Sequence, residues 1–86
     1  AMYAWGTNDY GQLGLGNNKT AKNMTQVPNF PPNNEKLRSV SAGAAHALAL
    51  TERGEVYAWG LNSSGQLGLG HTTNINTPTL VRFPDL

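Results

Sequence analysis

Trp5-Gly6-Thr7-Asn8-Asp9-Tyr10-Gly11-Gln12-Leu13-Gly14-Leu15-Gly16 returns 54 residues later as Trp59-Gly60-Leu61-Asn62-Ser63-Ser64-Gly65-Gln66-Leu67-Gly68-Leu69-Gly70. The copies stay in register outside that core: Tyr3-Ala4 matches Tyr57-Ala58, and Thr25 and Val27 match Thr79 and Val81. A fixed period near fifty residues is the signature of propellers and related arrays. The chain is therefore to be read as a piece of an array.

Strand signals define the unit. Leu37 to Ala42, His46 to Thr51, Glu55 to Trp59 and the stretch from Thr79 to Phe83 are short runs carrying Val, Leu, Tyr and Trp, bounded by Gly, Pro, Asn or Ser. Four such strands per period make a propeller blade. In His46-Ala47-Leu48-Ala49-Leu50-Thr51 the bulky residues alternate with small ones. Neither face is charged, so both faces are expected to be covered, as a blade between two others requires. No segment carries the i, i+3, i+4 pattern of an amphipathic helix. The expected fold is all-β, with blades of four antiparallel strands.

Gly43-Ala44-Ala45-His46-Ala47-Leu48-Ala49-Leu50-Thr51, Gly54-Glu55-Val56-Tyr57-Ala58-Trp59-Gly60, Asn62 and Gly65-Gln66-Leu67-Gly68 together resemble the repeat of the regulator of chromosome condensation superfamily. That resemblance covers essentially the whole chain and implies a seven-bladed β-propeller. Met24 departs from it, standing where the second copy has Pro78. At 86 residues the chain holds about one and two-thirds repeats, an incomplete propeller. Residues 1–36 are expected to form the C-terminal half of one repeat plus its connection, which contains Pro28, Pro31, Pro32, Asn33 and Asn34; residues 37–86 are expected to form one full repeat. Either the rest of the propeller or self-association is needed to cover the blade faces and edges.

Composition excludes several function classes. The net charge is +1 with 13% charged residues, so nothing steers the chain toward nucleic acid or an anionic membrane. Cysteine is absent, which removes disulfides and thiolate metal sites. Gly11 to Gly16 and Gly65 to Gly70 have the glycine spacing of a phosphate-binding loop, but Asn17-Asn18 and His71-Thr72 follow where Lys and Ser or Thr are required. Those glycines are read as turn formers, and Gln12 and Gln66 as hydrogen-bonding the loop backbone. His46, on an apolar face with no ligand-type neighbour at suitable spacing, is read as structural. Trp5 and Trp59, identically placed, are read as packing blade against blade.

Asp9, Glu35, Glu52, Glu55 and Asp85 form no recurrent pair and no nucleophile has a base beside it, so catalysis is not expected. No cofactor or metal site is legible. The sequons at Asn18, Asn23 and Asn62 are read as fortuitous in a chain rich in Asn, Ser and Thr.

Positions where the copies differ are free to serve recognition: Thr7 against Leu61, Asp9-Tyr10 against Ser63-Ser64, and residues 17–23 against residues 71–77. Asp9, Tyr10, Leu61 and His71 are the candidate partner contacts. The resemblance implies two function classes. One is a non-catalytic protein-interaction scaffold, as in large ubiquitin ligases, kinases and ciliary proteins of the superfamily. The other is part of a guanine nucleotide exchange factor for a Ran-like small GTPase, which would need an inserted wedge that neither copy contains. A plant member senses ultraviolet light through clustered tryptophans, but the motif tied to that behaviour is missing here. An intracellular location, cytoplasmic or nuclear, is expected.

Overall fold

The computed structural model describes residues 2–32, 35–43 and 45–81. Six strands run in chain order: β1 (Tyr3–Gly6), β2 (Ala21–Gln26), β3 (Leu37–Ala42), β4 (His46–Thr51), β5 (Val56–Gly60) and β6 (Ile75–Val81). They form an antiparallel pair, β1-β2, and a four-stranded antiparallel sheet in the order β3-β4-β5-β6. No α-helix occurs among the described residues.

The 54-residue offset extends to the backbone pairing. Tyr3 pairs with Gln26, Ala4 with Thr25 and Gly6 with Ala21, while Tyr57 pairs with Leu80, Ala58 with Thr79 and Gly60 with Ile75. Both ladders break register at the same place, between Ala4 and Gly6 and between Ala58 and Gly60. One sequence unit has produced one strand-pairing unit twice. The fourth strand departs from its expected bounds: it begins at Ile75, not Thr79, and the expected end at Phe83 lies outside the described residues. Pro78 sits within it because β6 is an outer edge strand, where a missing N–H breaks no ladder.

The two faces of β4 have different fates. Ala47, Ala49 and Thr51 are buried, and the two alanines join Val27, Phe30 and Trp59 in the main core. Small side chains on that face let the connection after β2 come close. Phe30 meets Tyr57 and Trp59 edge to face, with centroids 5.1 and 5.6 Å apart. On the opposite face Ala58, Leu67 and Val81 form a smaller cluster, but Leu48 remains 37% exposed. Only one of the two faces expected to be covered is covered fully. The connection is also tied to the β4–β5 turn by Glu35 and Arg53, 3.0 Å apart. The arginine is exposed, so this pair contributes less than about 1 kcal/mol. Burial of the Tyr57 hydroxyl, helped by Glu55 and Glu35 and opposed by Arg53, raises its pKa above the ordinary 10.0.

Candidate functional site: the repeated rim loops

The loop after β1 and the loop after β5 are each built around one asparagine. Asn8 and Asn62 are both fully buried. The Asn8 amide donates to the carbonyls of Asn17 and Lys19, both at 2.9 Å, and its Oδ1 accepts from the Leu13 N–H at 3.0 Å. Asn62 repeats this with the carbonyls of His71 (2.9 Å) and Thr73 (3.0 Å) and the N–H of Leu67 (3.0 Å). Only an amide offers two donors and an acceptor in that arrangement. The Asn62 sequon is thus closed to glycosylation in the folded loop, since its amide nitrogen is buried and engaged.

Gln12 and Gln66 act as expected: their side-chain oxygens accept from the N–H groups of Tyr10 and Ser64, each at 2.9 Å. Gly11 and Gly65 follow with φ of 78° and 70°, a region side chains disfavour.

The first loop docks on the second repeat. The Trp59 indole N–H donates to the Gln12 carbonyl at 2.9 Å, the Gly16 N–H donates to the Asn76 carbonyl at 2.8 Å, and the Asn76 amide donates to Asn18 Oδ1 at 3.2 Å. A Cβ on Gly11 would lie 2.5 Å from Cβ of Asn76, so the backbone-to-strand approach depends on glycine. Trp59 is 1% exposed and Trp5 is 59% exposed, although both occupy the same place in their repeats. The blade-packing role is met at Trp59; the partner that Trp5 would need lies in no described residue.

Of the residues singled out for recognition, Asp9 and Tyr10 stand exposed at the tip of the first loop. Tyr10 helps line a crevice of about 240 Å³ with Asn18, Ile75, Asn76 and Thr77. His71 borders a separate depression of about 360 Å³ with Leu69, Thr79 and Leu80. Leu61 is half-buried, its N–H bound to the Ala45 carbonyl, and it lines neither. The four candidates are not gathered into one site. Asn18 and Asn76, which complete the Tyr10 crevice, were signalled only as members of the divergent stretches 17–23 and 71–77.

His71 also carries a structural duty. Its Nδ1 accepts from the Thr73 N–H at 3.1 Å and lies 3.3 Å from the Asn62 amide. Asn17 Oδ1 makes the same pair of contacts, with the Lys19 N–H at 2.9 Å and the Asn8 amide at 3.4 Å. Two different side chains place an acceptor at one point. Among the described residues no three His, Cys, Asp or Glu side chains come together to hold a metal.

Comparison with known proteins accords with this geometry. Residues 1–50 and 53–85 match the Regulator of chromosome condensation (RCC1) repeat, and residues 37–66 match a second description of it. The chain belongs to the RCC1 repeat family. The Ultraviolet-B receptor UVR8 of Arabidopsis thaliana is 44% identical over 93% of this chain, and the Secretion-regulating guanine nucleotide exchange factor of Bos taurus is 39% identical over 87%. The crystal structure of Kap60 bound to yeast RCC1 (Prp20) superposes on 92% of this chain with a TM-score of 0.78 and 33% identity. This RCC1-repeat chain spans 18%, 16% and 19% of those proteins, less than a fifth of each. The antiparallel sheets are RCC1-type propeller blades, and the loops built on Asn8 and Asn62 are what the RCC1 repeat conserves between its two copies here.

Proposed function

We propose that this segment is a non-catalytic part of a protein-interaction propeller and that it presents repeat-variable side chains from rim loops held by an invariant hydrogen-bond frame. The observation that carries the reading is the correspondence of Asn8 with Asn62 and of Gln12 with Gln66: their side chains make the same bonds to the loop backbone in both copies, while Asp9-Tyr10 and Ser63-Ser64 at the tip differ and face solvent. A rigid frame lowers the entropy cost of presenting a contact residue. Tyr10, backed by the crevice with Asn18 and Asn76, is the contact of first choice, with Asp9 next to it in the chain; Leu61 and His71 are contacts proposed elsewhere on the second loop. The yeast relative is held in a complex with another protein, which supports a protein as the partner class.

A small GTPase as that partner, with the segment belonging to a nucleotide exchange factor, is the second reading, favoured by the likeness to an exchange factor. Neither rim loop contains an insertion relative to the other, so the exchange wedge would have to come from other blades. A cytoplasmic or nuclear location goes with both readings. Among the described residues no helix is long and apolar enough to cross a membrane.

The test is a pull-down with the whole propeller carrying Tyr10→Ala or Leu61→Ala, run beside nucleotide release from a Ran-type GTPase. Loss of partner with either variant, at unchanged melting temperature, is the expected outcome. Unchanged capture by both removes this rim, and stimulated release favours the exchange reading.

A further inference from the structure

The two walls of the Tyr10 crevice come from the two repeats and are tied to each other: the Gly16 N–H donates to the Asn76 carbonyl at 2.8 Å and the Asn76 amide to Asn18 Oδ1 at 3.2 Å. Its walls carry no acid or base apart from the Tyr10 phenol, and three of them are asparagines, Asn18, Asn74 and Asn76. A volume of about 240 Å³ falls short of the roughly 300–1,000 Å³ of a cofactor-sized site. The β6 backbone offers no ladder on this side. Pro78 has no N–H, the Asn76 carbonyl is taken by Gly16, and the Thr77 carbonyl accepts from the Thr79 hydroxyl at 3.0 Å. An entering group is therefore read by side chains. Two of these are oriented by bonds they already make. Asn74 Oδ1 accepts from the Asn62 N–H at 2.8 Å, which leaves the Asn74 amide nitrogen, without a partner among the described residues, as a fixed donor. Asn76 spends an amide hydrogen on Asn18, which leaves its Oδ1 as a fixed acceptor.

We propose that this crevice takes an extended, uncharged peptide segment of the protein partner and reads its main chain through the amides of Asn74 and Asn76. The assignment rests on the rim being the partner-binding face and names what that face reads. Asn74 and Asn76 are two residues apart where the chain enters β6, which sets them about 7 Å apart. An extended peptide turns the N–H and C=O of every second residue to the same side, at that same spacing. A peptide carbonyl facing the Asn74 nitrogen and a peptide N–H two residues away facing Asn76 Oδ1 satisfy both groups. Asp, Glu, Lys or Arg inside the crevice would lose hydration and gain no opposite charge, so neutral side chains are selected there. Tyr10, still 42% exposed, lends its ring to one side of the segment at low entropy cost. Main-chain reading supplies the affinity, and the uncharged walls supply the selectivity.

The probe is a phage-displayed library of random heptapeptides, selected on the whole propeller and counter-selected on the same propeller carrying Asn74→Asp, which keeps the acceptor for the Asn62 N–H and loses the donor. Selected peptides are expected to be uncharged and to bind with an affinity that added salt leaves unchanged. Asn74→Asp should weaken them about tenfold, as should N-methylation of one peptide nitrogen, while Ser63→Ala has no effect. N-methylation leaves the protein unaltered and so decides the matter even if the variant melts early. No peptide surviving counter-selection, charged residues in the selected sequences, or indifference to N-methylation at every position would each overturn the proposal. Binding of neutral oligosaccharides with the same dependence on Asn74 would overturn it too, by assigning the crevice to a sugar. In the partner pull-down, loss with Tyr10→Ala but retention with Asn74→Asp sinks the crevice and leaves the rim reading standing, whereas retention with Tyr10→Ala, Leu61→Ala and Asn74→Asp sinks both.

Discussion

The indole N–H of Trp59 reaches across the repeat boundary to the carbonyl of Gln12, 2.9 Å away, and beneath it Gly14 leaves room that a Cβ would fill at 2.9 Å from the indole nitrogen. One repeat's loop is thus the floor on which the next repeat's tryptophan lies. Gly68, the equivalent of Gly14, has only Val81 at 3.8 Å.

That asymmetry makes glycine substitutions a measure of blade contact. Gly65→Ala suffers only the backbone strain of φ 70°, about 1–2 kcal/mol. Gly11→Ala adds a collision with Asn76 and should cost at least about 1 kcal/mol more. Urea unfolding of an intact propeller carrying each variant checks this; equal losses would mean that the first loop does not press on β6.

Asn62→Asp should destabilise as severely as Asn62→Ala, despite its matching shape. Alanine strands the Leu67 N–H and two carbonyls, at roughly 1–3 kcal/mol for each buried group. Aspartate keeps the acceptor but turns an oxygen toward the His71 and Thr73 carbonyls. Melting temperatures of the two variants, compared with Ser63→Ala within about 0.5 kcal/mol of the parent, decide the point.

At His71, asparagine should be tolerated and valine should not. Asparagine supplies the acceptor that Asn17 already supplies in the other copy, whereas valine leaves the Thr73 N–H without it, a loss of about 1 kcal/mol. Thermal unfolding of His71→Asn and His71→Val provides the comparison, and equal stability would refute the acceptor role.

Alkaline titration gives a fourth prediction. The Tyr57 pKa is raised in the folded chain, so the neutral phenol is favoured by folding. Its contribution to stability is fully present below 10.0 and is lost as the pH climbs through the higher folded value. Tyr57→Phe should flatten the alkaline limb of a stability-against-pH curve, while leaving the neutral limb in place.

What the sequence discloses and what it conceals divide along the repeat boundary. Features set within one unit were legible: the period, the strand pairs, the turn glycines and the backbone bonds of Gln12 and Gln66 all follow from the doubled motif. The burial of Trp59 against the exposure of Trp5 was not, because identical residues acquire different environments from what lies beside the blade. Asn8 and Asn62 were legible as a repeated position, but their burial as hubs was not: nothing local in a glycine-rich loop distinguishes a buried amide from a solvated one. His71 differs from Asn17 in residue type, which reads as free variation, while its ring nitrogen keeps the same duty. The early start of β6 was obscured by Pro78, a strand breaker everywhere except at an edge.

The contrast between the two tryptophans also makes the chain its own optical gauge. Trp59, at 1% exposure, emits from a dry surrounding and reports on loosening between the repeats; Trp5, at 59%, emits from water and reports on whatever comes to lie over β1. Replacing either ring with phenylalanine isolates the other signal, so the opening of one boundary and the covering of the other can be timed separately in the same molecule.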